Sequence, residues 1–397
     1  MSSSPVKRAL AARTPPLQLQ LDSKNLTRSC RTVERQWKSS SERGFTLAEV
    51  MIATALSIIM LGAAFHFFDD LESLTESAGV MAEVNQNLRA STDLITRDAY
   101  QAGAQIPTGG IPLPNGTGAS PVRRPGPGTN YFPVATDGGI LPAVTPGYGL
   151  SGTIGGKTSD EITLTMVDEN WMGLVALPIS NITASTSTGY TVNVTIPPPG
   201  CTTTTNPVFD CTLGPQGYNV KLGDFLMFSS PGGLYALGLV TQVDTTSNII
   251  YFSGDALDLN QLCNGTAGCG GTIDSLEQDG EYPEGMSMTK IDVVTYYLDN
   301  SNAANPYQLM RILGNNTPNP VAYGINWLQV TYDLSTGVAN DNDSDGSVSA
   351  QPNQIRKVNF ALSGISQQKL RRSQQFFGNT MATTVTIRNL EYVNQFP

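Results

Sequence analysis

The sequence predicts an α+β fold in which one long N-terminal helix packs on a β-rich, antiparallel C-terminal head. Three observations carry this expectation. An apolar run, Phe45–Phe68, continues without a Pro into a polar segment that keeps a helical period as far as Gly103. Beyond it the chain turns to short runs in which apolar and polar residues alternate. Charged residues are only 14% of the chain, whereas it holds 39 Gly and 25 Pro. Such a composition suits strands joined by irregular loops and argues against an all-helical protein.

The apolar run, FTLAEVMIATALSIIMLGAAFHFF, has 24 residues and a single formal charge, Glu49. As a helix it would rise ~36 Å, enough to cross a hydrocarbon core. Apolar residues occur all round it, so lipid or similar helices must surround it. Arg43 precedes it and Asp69, Asp70 and Glu72 follow, which places the N-terminus in the cytoplasm and the bulk outside. A cleaved secretory signal would have a shorter core and an A-x-A-like site. A plain anchor explains length and orientation but not Glu49. A carboxylate at that depth costs roughly 2.5–3.5 kcal/mol on insertion scales and asks for a partner.

After Phe68, Leu71, Leu74, Ala78, Met81, Val84 and Leu88 recur at spacings of three and four, and Leu94 and Ile95 continue the stripe. The expectation is one helix of about 55 residues, apolar first and amphipathic later, ending near Gly103 and packing its second half on the head. Asp98 and Arg97 read as surface or docking residues. From Pro107 to Gly147 there are nine Pro and nine Gly, a run expected to form neither helix nor central strand. Past it, Ile162, Leu164 and Met166 alternate with Thr163 and Thr165. Val192, Val194 and Ile196, then Val358, Phe360 and Leu362, and finally residues 384–388 repeat the pattern. These read as antiparallel strands buried on one face, with further strands near 224–229, 234–243, 248–252, 290–298, 308–313 and 325–333.

Charge is divided along the chain. Residues 1–44 hold nine Lys/Arg against three Asp/Glu, a net of +6, so of the total −10 the rest carries −16. A body this negative repels phosphate backbones, and no nucleic-acid partner is expected. Cys30 lies in the basic segment; Cys201, Cys211, Cys263 and Cys269 form two close pairs in turn-rich sequence. Disulfides in an oxidising compartment are the expected state, with free thiols or a metal cluster as the alternative. The spacings fit no zinc knuckle, and the sequence leaves the connectivity open.

Arg43-Gly44-Phe45-Thr46-Leu47-Ala48-Glu49-Val50 resembles the type IV prepilin processing motif. The resemblance implies a leader, residues 1–44, cut by a prepilin peptidase between Gly44 and Phe45, with N-methylation of Phe45. It also implies that Glu49, then fifth in the mature chain, meets the amino terminus of a neighbouring subunit. The physics agrees, because a buried carboxylate needs a cationic partner. Residues 85–103 resemble the end of this helix in PilW-like minor pilins and the matching part of J-type pseudopilins of type II secretion. Residues 221–241, the hairpin sequences within 292–311, Gly324-Ile325 and residues 384–390 are similar to the PilW-like head. The implied organisation is a leader at 1–44, a membrane and filament-core helix at 45–68, an amphipathic helix at 69–103, a connector at 104–158 and a head at 159–397, in a type IV pilin-like fold.

The implied function is that of a minor pilin priming or capping a type IV pilus, with a type II secretion tip subunit or a pilus-borne adhesin as alternatives. Partners would be the prepilin peptidase and methyltransferase, other pilins, the inner-membrane assembly machinery and lipid. The single histidine, His66, lies inside the apolar helix, which removes His-based triads and most His metal centres, so no enzyme and no organic cofactor is expected. One head motif stands out. Asp341, Asp343 and Asp345, followed by Gly346, offer alternate carboxylates of the kind that bind calcium. Pro352 stands where an EF-hand has its bidentate Glu, and a solvated turn is the plainer reading.

Overall fold

The computed structural model describes residues 44–387 apart from 108, 115–121, 127–131, 133–138, 172–174, 186–188, 206–207, 263–269, 280–283, 303–304 and 306. One helix runs from Leu47 to Gln101, 55 residues, followed by a large antiparallel β region, an α+β fold of type IV pilin-like build. The chain divides into two compact units, Met1–Asp69 and Asp70–Pro397. The packing described below belongs to the second.

The helix is sustained by its own chemistry. No Pro interrupts it, and its hydroxyl residues return their O–H to carbonyls one turn back, Ser91 to Asn87 at 2.7 Å and Thr92 to Leu88 at 2.8 Å. It stops at Gly103, which takes the left-handed conformation (φ 78°) and donates its N–H to the Thr165 carbonyl at 2.8 Å. The amphipathic stripe is shorter than its sequence period suggests. Leu71, Leu74 and Met81 are exposed, and sustained burial begins at Val84 and continues through Leu88, Ile95 and Ala99. At this level the helix meets Gly364. A Cβ there would lie 3.1 Å from both Val84 Cγ1 and Leu88 Cγ, so its missing side chain lets the helix sit against the strand at this point.

The head is built on one 13-residue strand, Ser287–Asp299. Its first half pairs with Phe225–Ser229 on one edge, and Ile291–Tyr296 pair with Val167–Ile162 on the other. Its last residues pair with Gln308–Leu313. Side chains alternate across it. Ile291 and Val293 enter one hydrophobic core, with Phe225, Phe228, Leu237 and Phe252; Val294, Tyr296 and Leu298 enter a second, with the helix. A separate three-stranded meander, Ile325–Leu334, Ile355–Lys369 and Phe376–Thr386, closes the second core with Leu328, Phe360 and Leu362.

Two expectations need correction. The strand Lys157–Val167 is buried on both faces rather than one, because Thr163 and Thr165 are as inaccessible as Ile162 and Leu164. Burying a hydroxyl demands a partner, and Thr163 finds one in the Thr295 hydroxyl at 2.9 Å on the paired strand. The stretch read as connector also contains a strand, Val144–Ile154. Pro146 is tolerated there because the strand pairs on one side only, with Lys157–Val167, and the ladder is irregular between Gly147 and Gly152.

Asp98 joins helix to sheet. It is buried, and one carboxylate oxygen accepts from the Tyr296 hydroxyl at 2.7 Å and from Arg311 Nε at 2.8 Å. Burial, followed by the Asp98 charge, pushes the Tyr296 phenol far above its ordinary value, so at neutral pH it stays a donor. Removing one member of such a pair strands the other. Asp98→Ala is therefore expected to cost about 3 kcal/mol, the low end of the ~3–5 kcal/mol seen for buried pairs, since the Arg311 side chain is still 23% exposed. A denaturant midpoint shift at unchanged m-value checks it; a loss below about 0.5 kcal/mol, the level of an ordinary surface substitution, would contradict it.

Candidate functional site

The N-terminal site is small and exposed. Gly44, Phe45 and Thr46 lie outside the helix, and the Phe45 side chain is 83% exposed. The helix then opens on a capping box. The Thr46 N–H and hydroxyl both donate to Glu49 Oε2 at 3.3 Å, and the Glu49 N–H donates to the Thr46 hydroxyl at 3.2 Å. The Thr-x-x-Glu spacing is visible in the sequence and bears on the partner that Glu49 asks for. Within the chain it has one, through contacts at the long end of hydrogen bonding. Its charge also sits at the positive end of the helix dipole. From here the helix is long and apolar enough to cross a membrane, and its most apolar stretch is buried nowhere within the chain. Leu47, Ile58, Met60 and Phe65 all face outward. The basic residues before Gly44 lie outside the described residues.

The other sequence-marked residues lie in the head. Cys201 and Cys211 are joined by a disulfide, closing a loop across ten positions; Cys263 and Cys269 lie outside the described residues. The Asp341–Gly346 turn does not converge its carboxylates. Asp343 accepts from the Val348 and Ser349 N–H groups at 2.9 Å and from the Ser349 hydroxyl. Asp341 serves the Asp343 N–H and the Ser347 hydroxyl, and Asp345 serves the Ser347 N–H. Each acid is occupied by the turn itself, and among the described residues no group of three His, Cys, Asp or Glu is placed to hold a metal ion.

The head also holds a buried charge cluster. Lys290 lies 3.1 Å from both Asp168 and Asp224. Burial pulls its ammonium down, but the two carboxylates outweigh this and raise it overall. Asp224 also accepts the Lys221 N–H at 2.8 Å, while Gly223 before it takes φ 85° to turn into the strand, which accounts for the Gly-Asp pair at 223–224. Asp292 is pushed up to about 7, first by burial and then by the Asp168 charge, with Lys290 and Arg311 pulling the other way. Glu161 likewise rises to about 7 through burial, despite Arg124 at 3.9 Å. Lys290, Asp292 and Glu161 lie within strands, and Asp168 and Asp224 lie next to strand ends. Only spatial proximity unites them, so no local spacing announces the cluster.

The long helix with its exposed apolar first half and the antiparallel head together have a type IV pilin-like build. Residues 39–65 match the family described as the prokaryotic N-terminal methylation motif. Over 86 residues the chain is 28% identical to the pilin-like protein PilA3 of Thermus thermophilus, an alignment covering 20% of this chain and 37% of that protein. No solved structure matches.

The raised carboxylates make stability depend on pH. A folded-state value above the unfolded one means the native state binds the proton more tightly, so stability is fully present below the unfolded value and declines as pH rises. For Asp292 the decline runs from about 4 to about 7. Asp292→Asn is expected to flatten this part of the profile and to stabilise the head at neutral pH. Urea unfolding at several pH values measures it, and an unchanged slope would contradict the assignment.

Proposed function

We propose that this chain is a minor pilin-like subunit, cut between Gly44 and Phe45, N-methylated at Phe45 and assembled into a type IV pilus that it primes or caps. The observation that carries the reading is Glu49. It stands at the entrance of an apolar helix exposed on all sides, five positions after the exposed Gly44–Phe45 peptide bond. In the uncut chain its partners are a threonine N–H and hydroxyl at 3.3 Å. A freed amine is a stronger partner, because a charge-assisted bond is roughly twice as strong as a neutral one. Side-by-side addition of helices would bring such an amine from a neighbouring subunit and cover the apolar surface in the same event.

In this reading residues 1–44 form the leader, 45–68 the membrane and filament-core helix, and the remainder the part exposed outside the inner membrane. The peptidase and methyltransferase, other pilins and the assembly machinery are the partners. A head of this bulk would pack poorly along a dense fibre, which favours a rare subunit at the tip. The similarity of residues 85–103 to PilW-like pilins supports the same placement.

Mass spectrometry of the membrane-extracted protein is expected to find a chain beginning with N-methylated Phe45. Glu49→Ala is expected to be cut normally yet to be depleted at least tenfold from sheared filaments, since loss of a charge-assisted bond of about 1.5–3 kcal/mol corresponds to that factor. An intact leader, or normal incorporation of the variant, would overturn the proposal.

A further inference from the structure

We infer that the outer edge of the strand Phe376–Thr386 is an interface between copies of this chain, closed by antiparallel pairing with the same strand of a second copy. The inference goes beyond the proposed function and needs neither leader cleavage nor Glu49. An unpaired edge strand presents a row of N–H and C=O groups that another strand can take up, and folds blunt such edges with charges, Pro, irregular ladders or short length. The other edges of the head, among the described residues, are blunted. On the far side of the meander, the edge of Ile325–Leu334 meets the Asp160 carboxylate, which accepts the Val330 N–H at 2.8 Å. The same edge forms a bridge in which Tyr332 donates to the Asp341 carbonyl at 2.7 Å and Asp341 donates back at 2.9 Å. Tyr235–Leu239 is covered by the Asn260 carboxamide, which accepts the Leu239 N–H at 2.9 Å and donates to its carbonyl at 2.7 Å. Asn319–Tyr323 contains Pro320, Val144–Ile154 contains Pro146 and an irregular ladder, and Gln242–Asp244 has only three residues.

Phe376–Thr386 has none of these devices. It is the last strand of its sheet and pairs with Ile355–Lys369 on one side. Its eleven residues hold no Pro and no Asp, Glu, Lys or Arg. The direction of its backbone groups follows from the register. The Ile387 N–H donates to the Arg356 carbonyl at 2.9 Å and the Phe377 N–H to the Ser366 hydroxyl at 2.9 Å, so the backbone groups of odd-numbered residues point to the neighbouring strand. The ladder runs without a shift from Thr386 opposite Lys357 to Gly378 opposite Ile365. Gly378, Thr380, Ala382, Thr384 and Thr386 therefore turn their N–H and C=O groups outward. Among the described residues, one of these N–H groups has a partner, that of Thr380, which donates to the Asn379 side chain at 2.9 Å.

The occupant that fits is the strand itself. The outward groups are centred on Ala382, so a two-fold axis beside it sets Ala382 against the second copy's Ala382, Thr380 against its Thr384 and Gly378 against its Thr386. Each such pair exchanges two backbone hydrogen bonds. Thr380, Ala382 and Thr384 are exposed, so Thr meets Thr on the open face, a favourable cross-strand pair. The Thr384 hydroxyl donates to Asn359 Oδ1 at 2.8 Å and keeps its lone pairs open to the second copy's Thr380 hydroxyl. Charge favours the same occupant. Residues 45–397 carry a net −16 and repel a second copy, whereas an uncharged strand sets no like charges opposite one another. The contact is isologous, so it closes at two copies and joins their meanders into one sheet.

The test follows hydrogen exchange residue by residue in the full-length protein held in detergent micelles, at rising protein concentration. Exchange rather than size is the readout, because the apolar helix can associate through its own surface. The amides of Gly378, Ala382, Thr384 and Thr386 are expected to pass from open to protected as concentration rises. Those of Met381, Thr383 and Val385 are expected to stay protected throughout, and they report that each variant is folded. Ala382→Lys and Ala382→Glu each set like charges opposite one another across the axis. Either is expected to raise the concentration needed for protection about fivefold. An equimolar mixture of the two sets opposite charges together and is expected to restore protection at the wild-type concentration or below. Outward amides that stay open at every concentration overturn the inference. Protection that does not depend on concentration identifies a segment of the same chain as the occupant and overturns it too. Single variants that behave as the wild type, or a mixture no better protected than they are, also overturn it.

Discussion

One buried carboxylate, Asp98, sets the register of the helix on the head, since the Tyr296 hydroxyl and Arg311 Nε both converge on the same oxygen within 2.8 Å. Apolar contacts alone would hold the helix without fixing its rotation, because Val84, Leu88 and Ile95 could slide by a turn at modest loss. A bidentate demand from a hydroxyl and a guanidinium on neighbouring strands admits one position. The rotation of the helix segment Val84–Ala99 on the sheet is thereby fixed.

The two ends of the helix pose opposite solvation problems. At Asp98 an acid is removed from water and satisfied inside its own chain. At Glu49 an acid introduces an apolar run and is satisfied only by a capping box with long contacts. The first arrangement is closed and stabilises a fold. The second is open: Glu49 is held only by contacts at 3.3 Å, whereas Asp98 is enclosed by two donors within 2.8 Å.

Much of the architecture was legible from residue pattern. The helix could be read because fifty-five residues without Pro and with sustained periodicity have few alternatives. The meander was legible at Val358, Phe360 and Leu362 because one face there is solvated, which preserves alternation. The strand Val144–Ile154 was not, since it begins inside the Pro- and Gly-rich run, and Pro146 is tolerable only because the strand pairs on one side. The double burial of Lys157–Val167 was hidden as well, because threonine signals a solvated face until a hydroxyl such as Thr295 is known to lie opposite. The burial of Asp98 was beyond reach for another reason. Its partners lie 198 and 213 residues away, and an acid late in a helix otherwise reads as surface.

The strand Ser287–Asp299 lends Ile291 and Val293 to one core and Val294, Tyr296 and Leu298 to the other. A tensile load entering through the helix reaches Tyr296 by way of Asp98 and therefore arrives at the member shared by both cores. A displacement of that strand is therefore felt in both cores at once.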